Sequence, residues 1–181
     1  MFGEQFDILR ELKQIREHRR CSFDETDDDY RTYHNLEDLI YIVGLSGYEN
    51  HFPHQKSLGF RFRISLARAL AVNPEIILID ESFKLMEPVT KTEILELIIS
   101  ISTGLNKTIL ITSTSISDAA IVSDKVLLMK KNPGSIFKEI QIEKDQSQKG
   151  IIFSENFTKI KDLIENAFRK ENIVNTLDIS I

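Results

Sequence analysis

The sequence predicts an α/β fold, a partial parallel sheet whose strands alternate with helices. Three short runs rich in aliphatic and β-branched residues carry this prediction: Ile76–Ile79, Thr108–Thr112 and Val126–Met129. Segments with the apolar spacing of helices separate these runs, as in chains built from repeated strand–helix units. A turn signal, Asn73–Pro74, precedes the first run, which indicates a buried strand of a parallel sheet.

Length and charge narrow the possible functions. A chain of 181 residues is long enough to form one domain with a sizeable core. Its net charge of -5 gives no electrostatic footprint for nucleic acid or anionic lipid. The single cysteine, Cys21, has no internal disulfide partner, which suits the cytosol. No apolar run approaches the ~18 residues of a membrane span, so we expect membrane contact only through a partner.

Two helices are predicted before the first strand. Glu4–Arg20 has an apolar face, which indicates either a packing helix or a surface docked on another subunit. A second helix begins at Asn35 or Leu36 and is stopped by Gly44. Between them, the acidic run Asp24–Asp29 lacks the ligand spacing of a calcium loop, so a solvated loop is predicted.

Residues typical of helix starts, and one alternating pattern, predict the helices and the strand that follow Glu81. Pro88 is suited to the first position of a helix, and Ser115 or Ser117 is suited to cap a short one. Ser135–Ile142 alternates apolar and polar residues, as a half-exposed strand does. Ser154 is a plausible cap for a last helix. Its predicted apolar face consists of Phe157, Ile160, Leu163, Ile164, Ala167 and Phe168.

The stretch Pro53–Glu81, PHQKSLGFRFRISLARALAVNPEIILIDE, concentrates the candidate chemistry. Asp80 and Glu81 follow the first predicted strand directly, at the carboxyl end where open α/β sheets bind ligands. This stretch resembles the ATPase subunits of ATP-binding-cassette (ABC) transporters, most of all those of nitrate, sulfonate and taurine importers. The letters PHQ, ARALA, NP and IILIDE stand in the family's register. The resemblance extends through Asn35–Tyr48 and Lys107–Ile142, roughly two-thirds of the chain.

The resemblance implies a fold, a location and partners. The fold would be a P-loop-NTPase-like partial sheet, with a helical subdomain over 1–59 and an α/β core over 60–144. A linker and a C-terminal helix would follow over 145–181. The protein would lie in the cytoplasm at the inner face of the cell membrane. Its partners would be an ABC ATPase subunit, a transmembrane permease or both.

The resemblance also implies roles for the two acids, with Mg²⁺ and ATP as cofactors. Asp80 would hold the metal through water, since carboxylate oxygens suit a hard cation. Glu81 would activate the attacking water, because a positioned carboxylate can orient or deprotonate water. The alternative that both acids merely end a strand remains open.

Three further motifs depart from the family pattern. Ser57, Leu58 and Gly59 fill the place of the signature motif, which holds the γ-phosphate of ATP bound by the opposite subunit. Leu58 replaces a glycine, and at a positive φ it would cost ~1–2 kcal/mol. Thr114 occupies the switch-histidine position, where a hydroxyl can donate a hydrogen bond but carries no charge. Lys84–Glu87 keeps only the final acid of the family's D-loop.

The phosphate-binding Walker A motif, G-x-x-x-x-G-K-[ST], does not occur in these residues, and the resemblance places it before Met1. Two hypotheses follow. The chain is, or derives from, an importer ATPase subunit and works only with a missing N-terminal half. Alternatively, it is a non-catalytic structural or regulatory partner of an ABC ATPase or permease. In both cases we expect no ATP hydrolysis by the chain alone, and an exposed sheet edge that favours self-association.

Overall fold

Helices and strands alternate along the chain in the computed structural model, which describes residues 7–20, 36–51, 57–131, 133–142 and 155–177. The elements are α1 (Ile8–Arg20), α2 (Leu36–Ile42), α3 (Leu58–Ala71), β1 (Ile76–Asp80), α4 (Pro88–Gly104), β2 (Thr108–Thr112), α5 (Ile116–Val122), β3 (Lys125–Lys131), β4 (Gly134–Gln141) and α6 (Glu155–Leu177). They form two units, divided between Thr112 and Ser113. The three-part division expected from the sequence stays a prediction.

The first unit contains a parallel pair of strands. β1 and β2 pair in register from Ile76 opposite Thr108 to Asp80 opposite Thr112. Parallel strands need a crossover connection, and here α4 supplies it. The predicted α/β class and the predicted parallel pairing of these two strands are therefore confirmed.

Helix α3 is central to the core of the first unit. It contacts α1, α2 and α4, each of which brings buried aliphatic side chains. Its own buried face includes Ile64, Ala67 and Leu70, which recur at helical spacing. The fully buried large side chains of this unit are Ile8, Leu12, Leu39, Ile40, Leu45, Ile64, Leu70, Ile94, Leu95, Ile98 and Ile101.

An arginine of α3 closes the end of α2. The Arg63 guanidinium donates to the carbonyl of Val43 at 2.9 Å and lies 3.5 Å from the carboxylate of Glu93. Gly44, predicted to stop α2, has φ +69°, and a Cβ there would lie 2.6 Å from the Arg63 guanidinium. The positive φ therefore favours glycine at this position, and a larger residue would also displace the Arg63 guanidinium.

Most predicted element starts are confirmed. The second helix begins at Leu36, and Pro88 stands at the start of α4. Ser115 caps α5, because its hydroxyl accepts the Asp118 N–H at 3.2 Å. Glu4, Ser154 and the acidic run 24–29 lie outside the described residues. Within the described residues, α1 begins at Ile8 and α6 at Glu155, the residue after the predicted cap. No helix in the described ranges is long and apolar enough to cross a bilayer.

The second unit corrects the predicted sheet. β3 pairs antiparallel with β4, so the prediction that Val126–Met129 belongs to the parallel sheet is wrong for the described residues. The physical reason is the short connection through Pro133, which favours a hairpin between neighbouring strands. The core of this unit consists of Ala120, Val126, Leu128, Ile140, Ile142 and Ile164.

Helix α6 covers this second core with most of its predicted apolar face. Ile164 is buried, and Phe168 meets the ring of Phe137 at a centroid distance of 5.8 Å. Phe157, Ile160 and Ala167 also pack against the core. Leu163 is exposed instead, so the buried stripe is narrower than the sequence predicts.

Because α3 lies at the centre of the core, we can predict how substitutions change the free energy of unfolding. Leu70→Ala should lower the free energy of unfolding by about 2–5 kcal/mol, because it removes a fully buried side chain and leaves a cavity. The matched control is Leu85→Ala, at an exposed leucine, which should change it by about 0.5 kcal/mol or less. Urea unfolding followed by circular dichroism measures both. Equal effects of the two variants would contradict the described core.

Candidate functional site

A threonine joins the two candidate acids at the carboxyl end of the parallel pair. Thr112 is the register partner of Asp80, and its hydroxyl donates to the Asp80 carboxylate. The backbone N–H of Glu81 donates to the same hydroxyl oxygen at 3.1 Å and lies 3.2 Å from the Thr112 carbonyl oxygen. One side chain of β2 therefore orients the carboxylate of Asp80 and the backbone of Glu81.

The backbone turns sharply at Glu81. Glu81 has φ +38°. Among the described non-glycine residues, Asn73 and Asn106 also have a positive φ. Asparagine adopts this region readily, whereas for glutamate it is uncommon and unfavourable. The Ser82 hydroxyl donates to the Asp80 carbonyl at 3.1 Å and supports the turn. Both acidic side chains remain exposed at the end of the sheet.

The signature-like residues form the start of α3. The Ser57 hydroxyl oxygen accepts the Phe60 N–H at 3.3 Å and so caps the helix. Leu58 is the first residue of the helix and has no positive φ, so the backbone cost considered for a leucine there does not arise. Gly59 is buried, and a Cβ at this position would lie 2.3 Å from the Thr90 methyl carbon. The glycine therefore permits close packing of α3 against α4.

Thr114 belongs to the second unit, two residues after the end of β2. Its side chain is exposed, while the neighbouring Ser113 hydroxyl accepts the Ser115 N–H at 3.0 Å. The role of Thr114 as a substitute for the switch histidine stays a prediction.

An open groove of about 550 Å³ runs between α3 and β1. Leu58 and Asp80 both line it, so the start of the signature-like helix and one candidate acid border the same space. The groove is lined by Leu58, Arg61, Phe62, Ile64, Ser65, Leu66, Arg68, Ala69, Ile77, Leu78, Ile79, Asp80, Ser82 and Met86. Its wall is mostly apolar, with two guanidinium groups and one carboxylate.

The geometry around Asp80 bears on magnesium binding. Mg²⁺ is usually bound by one or two carboxylates and completes its shell with waters and phosphate oxygens. The exposed Asp80 carboxylate, oriented by Thr112, could serve as the one carboxylate ligand of such a magnesium ion. Within the described ranges, no group of three or more His, Cys, Asp or Glu side chains could hold a metal ion. A metal held here would therefore need ligands beyond these side chains.

Thr112 was not among the site residues predicted from the sequence. The sequence feature that indicates Thr112 is its position at the end of the apolar run Thr108–Thr112, just as Asp80 ends the preceding apolar run. Two polar residues closing two parallel strands of equal length are expected to be neighbours. The position can thus be found once the register is assumed.

Comparison with known proteins gives this site a context. No protein-family model matches the chain. The taurine import ATP-binding protein of Yersinia pestis is 36% identical over 104 residues, which are 58% of this chain and 41% of that protein. An uncharacterized ABC transporter ATP-binding protein of Methanocaldococcus jannaschii is 32% identical over 134 residues, or 73% of this chain and 50% of that one. The chain thus spans about half, or less, of the length of these relatives.

Solved structures show the same fold. The chain cbiO1 from Clostridium perfringens, part of the ABC transporter complex cbiONQ, superposes with a TM-score of 0.59 at 19% identity. The match covers 74% of this chain and 51% of that one. The fold is that of ABC ATPases, and the homologues are ABC transporter ATP-binding proteins. The resemblance to import-type ABC ATPases is therefore confirmed.

The positive φ of Glu81 leads to a prediction about the free energy of unfolding. Glu81→Gly should raise the free energy of unfolding by about 1 kcal/mol, because glycine adopts a positive φ without the cost that a side chain brings. The same substitution within α4, Glu96→Gly, should lower it by about 1 kcal/mol. Urea unfolding of both variants provides the comparison. A loss of stability in Glu81→Gly as large as in Glu96→Gly would show that the left-handed turn does not form.

Proposed function

We propose that the chain is an ABC-transporter ATP-binding-subunit-like protein that cannot hydrolyse ATP by itself. Its relation to ATPases that drive taurine import rests on the matched relatives, and the wider class of nitrate, sulfonate and taurine importers is what the sequence resemblance implies. The observation that carries the proposal is the Asp80–Thr112–Glu81 arrangement at the carboxyl end of the parallel strands. It corresponds to the metal-and-water end of an ATPase site.

Each residue of this arrangement has a proposed role. Asp80 would hold Mg²⁺, which when bound neutralises charge on the phosphates. Glu81 would orient or deprotonate a water molecule at the exposed end of the sheet. Thr112 is a positioning residue, since its hydroxyl contacts the Asp80 carboxylate and the Glu81 backbone. These roles require a nucleotide that other groups hold in place.

The sequence lacks the groups that would hold a triphosphate. Charge-assisted hydrogen bonds contribute ~1.5–3 kcal/mol each, so losing four of them removes ~6–12 kcal/mol. This is a loss of more than ~10⁴-fold in affinity. Asp80 and Glu81 do not offset it, because without a metal two carboxylates repel phosphate. Thr114 brings no positive charge to the switch position.

A second candidate function rests on the start of α3. There, the Ser57 hydroxyl already caps the helix and Gly59 serves the contact with Thr90. Both signature-like residues thus have structural uses that need no phosphate. This favours the alternative of a non-catalytic structural or regulatory partner of an ABC ATPase subunit or a transmembrane permease. In either role we place the protein at the cytoplasmic face of the membrane, held there by its partner.

The proposal predicts the nucleotide behaviour of the isolated chain. Calorimetric titration with Mg·ATP should show no saturable binding tighter than ~1 mM, because the phosphate cradle is missing. A phosphate-release assay should give the same background for wild type and Glu81→Gln. Release by wild type that disappears in Glu81→Gln would overturn the proposal and make the isolated chain an ATPase.

Mixing with a complete ABC ATPase subunit separates the two candidate functions. If Ser57 contacts nucleotide held by that subunit, phosphate release should rise on mixing and Ser57→Arg should abolish the increase. The partner's own nucleotide binding should not change. Stable association without any rise in release supports the non-catalytic alternative instead.

A further inference from the structure

The carboxylate of Asp80 has one of its two oxygens already engaged. The Thr112 hydroxyl donates to Oδ1 of Asp80, and among the described residues it is the one donor to this carboxylate. The nearby Ser82 hydroxyl donates instead to the Asp80 backbone carbonyl, at 3.1 Å. Because the Asp80 side chain is exposed at the end of the sheet, Oδ2 is the oxygen left for a ligand from solvent.

A second contact fixes the direction of the Thr112 hydroxyl. Its oxygen accepts the backbone N–H of Glu81 at 3.1 Å. A hydroxyl carries one proton and two lone pairs, so an oxygen that accepts from Glu81 still has its proton to donate. The hydrogen bonds therefore run in one direction, from the Glu81 amide through Thr112 to the Asp80 carboxylate.

Backbone pairing holds Thr112 in this place. Asp80 and Thr112 are register partners at the carboxyl ends of β1 and β2, so their side chains project from the same face of the sheet. Threonine is also restricted in its first side-chain torsion, because it is branched at Cβ. Turning the hydroxyl away from Asp80 would break its contacts with both acids. The engaged oxygen is thus a built feature of the site.

Divalent cations differ in how they use a carboxylate. Mg²⁺ demands near-ideal octahedral geometry, keeps several waters and takes few carboxylate ligands, whereas the larger Ca²⁺ accepts six to eight oxygens and often binds both oxygens of one carboxylate. Mn²⁺ shares the octahedral oxygen coordination of Mg²⁺. A single free oxygen suits the smaller ions. A calcium ion that grips both oxygens of Asp80 has to displace the Thr112 hydroxyl.

We propose that Thr112 makes the Asp80 site selective for Mg²⁺ and Mn²⁺ over Ca²⁺, because its hydroxyl leaves the carboxylate one free oxygen. The inference rests on the proposed function, which assigns metal binding to Asp80, and it names the residue that decides which cation is accepted. Thr112 acts through Asp80 and is a positioning residue. A hydrogen bond to a charged group contributes a factor of about ten or more to an equilibrium constant, which sets the expected discrimination.

The test is a metal competition on the full 181-residue chain, isotope-labelled for NMR and free of nucleotide. A trace of Mn²⁺ should broaden the amide signals around Asp80, since a paramagnetic ion broadens nearby nuclei even when it binds weakly. Added Mg²⁺ or Ca²⁺ then displaces Mn²⁺, and the two midpoints give the ratio of their affinities. In Thr112→Val, which removes the hydroxyl but keeps the shape, this ratio should shift about tenfold toward Ca²⁺.

Three controls accompany this variant. Thr112→Ser keeps a hydroxyl at the same position and should keep the wild-type ratio. Thr108→Val makes the same change at the other, exposed end of β2 and should also leave the ratio unchanged. Asp80→Asn should remove the local broadening, because it removes the charged ligand. Circular dichroism checks that each variant keeps its fold.

A merely structural role for Thr112 would weaken both cations equally and leave their ratio as it is. A ratio in Thr112→Val within about twofold of the wild-type value would therefore overturn the inference. So would the absence of Mn²⁺ broadening around Asp80 in the wild type, or a Thr112→Ser variant that behaves like Thr112→Val. Because the assay contains no nucleotide and measures no phosphate release, its failure is distinct from a failure of the Mg·ATP experiments.

Discussion

Parallel pairing of β1 with β2 determines where the two candidate acids and Thr112 lie. It places Asp80 opposite Thr112, so that one hydroxyl can contact a carboxylate and a backbone N–H at the same time. The pairing also requires the α4 crossover, which brings Thr90 against Gly59 and so positions the start of α3. A shift of one residue in this register would turn the Thr112 side chain to the other face of the sheet, away from Asp80.

The same pairing leaves the first unit with two unlike surfaces. On one face of the strands Ile77 and Ile79 are buried and Ile109 and Ile111 are half-buried, while the other face presents Leu78 and Leu110 to solvent. Helix α3 has a similar division, since Leu70 belongs to the core and Phe62 lines the groove between α3 and β1. The site with its acids stands at the edge between the two surfaces.

Several residues near the family motifs have structural roles that family membership alone does not suggest. Ser57 caps a helix, Gly59 makes room for a methyl group, and Arg63 closes the end of α2. A glycine or serine at a family motif position is thus compatible with packing as well as with phosphate binding. Asp80 and Glu81 are different, because both acids are exposed at a sheet end and one is held by a hydroxyl.

The sequence by itself determined the α/β class, the strands Ile76–Ile79 and Thr108–Thr112, most helix starts and the relation to ABC ATPases, because periodicity, caps and motifs are local patterns. Only the tertiary structure decided the contact of Thr112 with Asp80, the left-handed turn at Glu81, the antiparallel pairing of β3 and the bare face of the sheet. The contacts of Thr112 with Asp80 and with the Glu81 backbone, and the bare face of the sheet, depend on which segments meet across long sequence separations, and local patterns carry no record of that choice. The β3–β4 pairing instead joins neighbouring segments through the short connection at Pro133, which favours a hairpin.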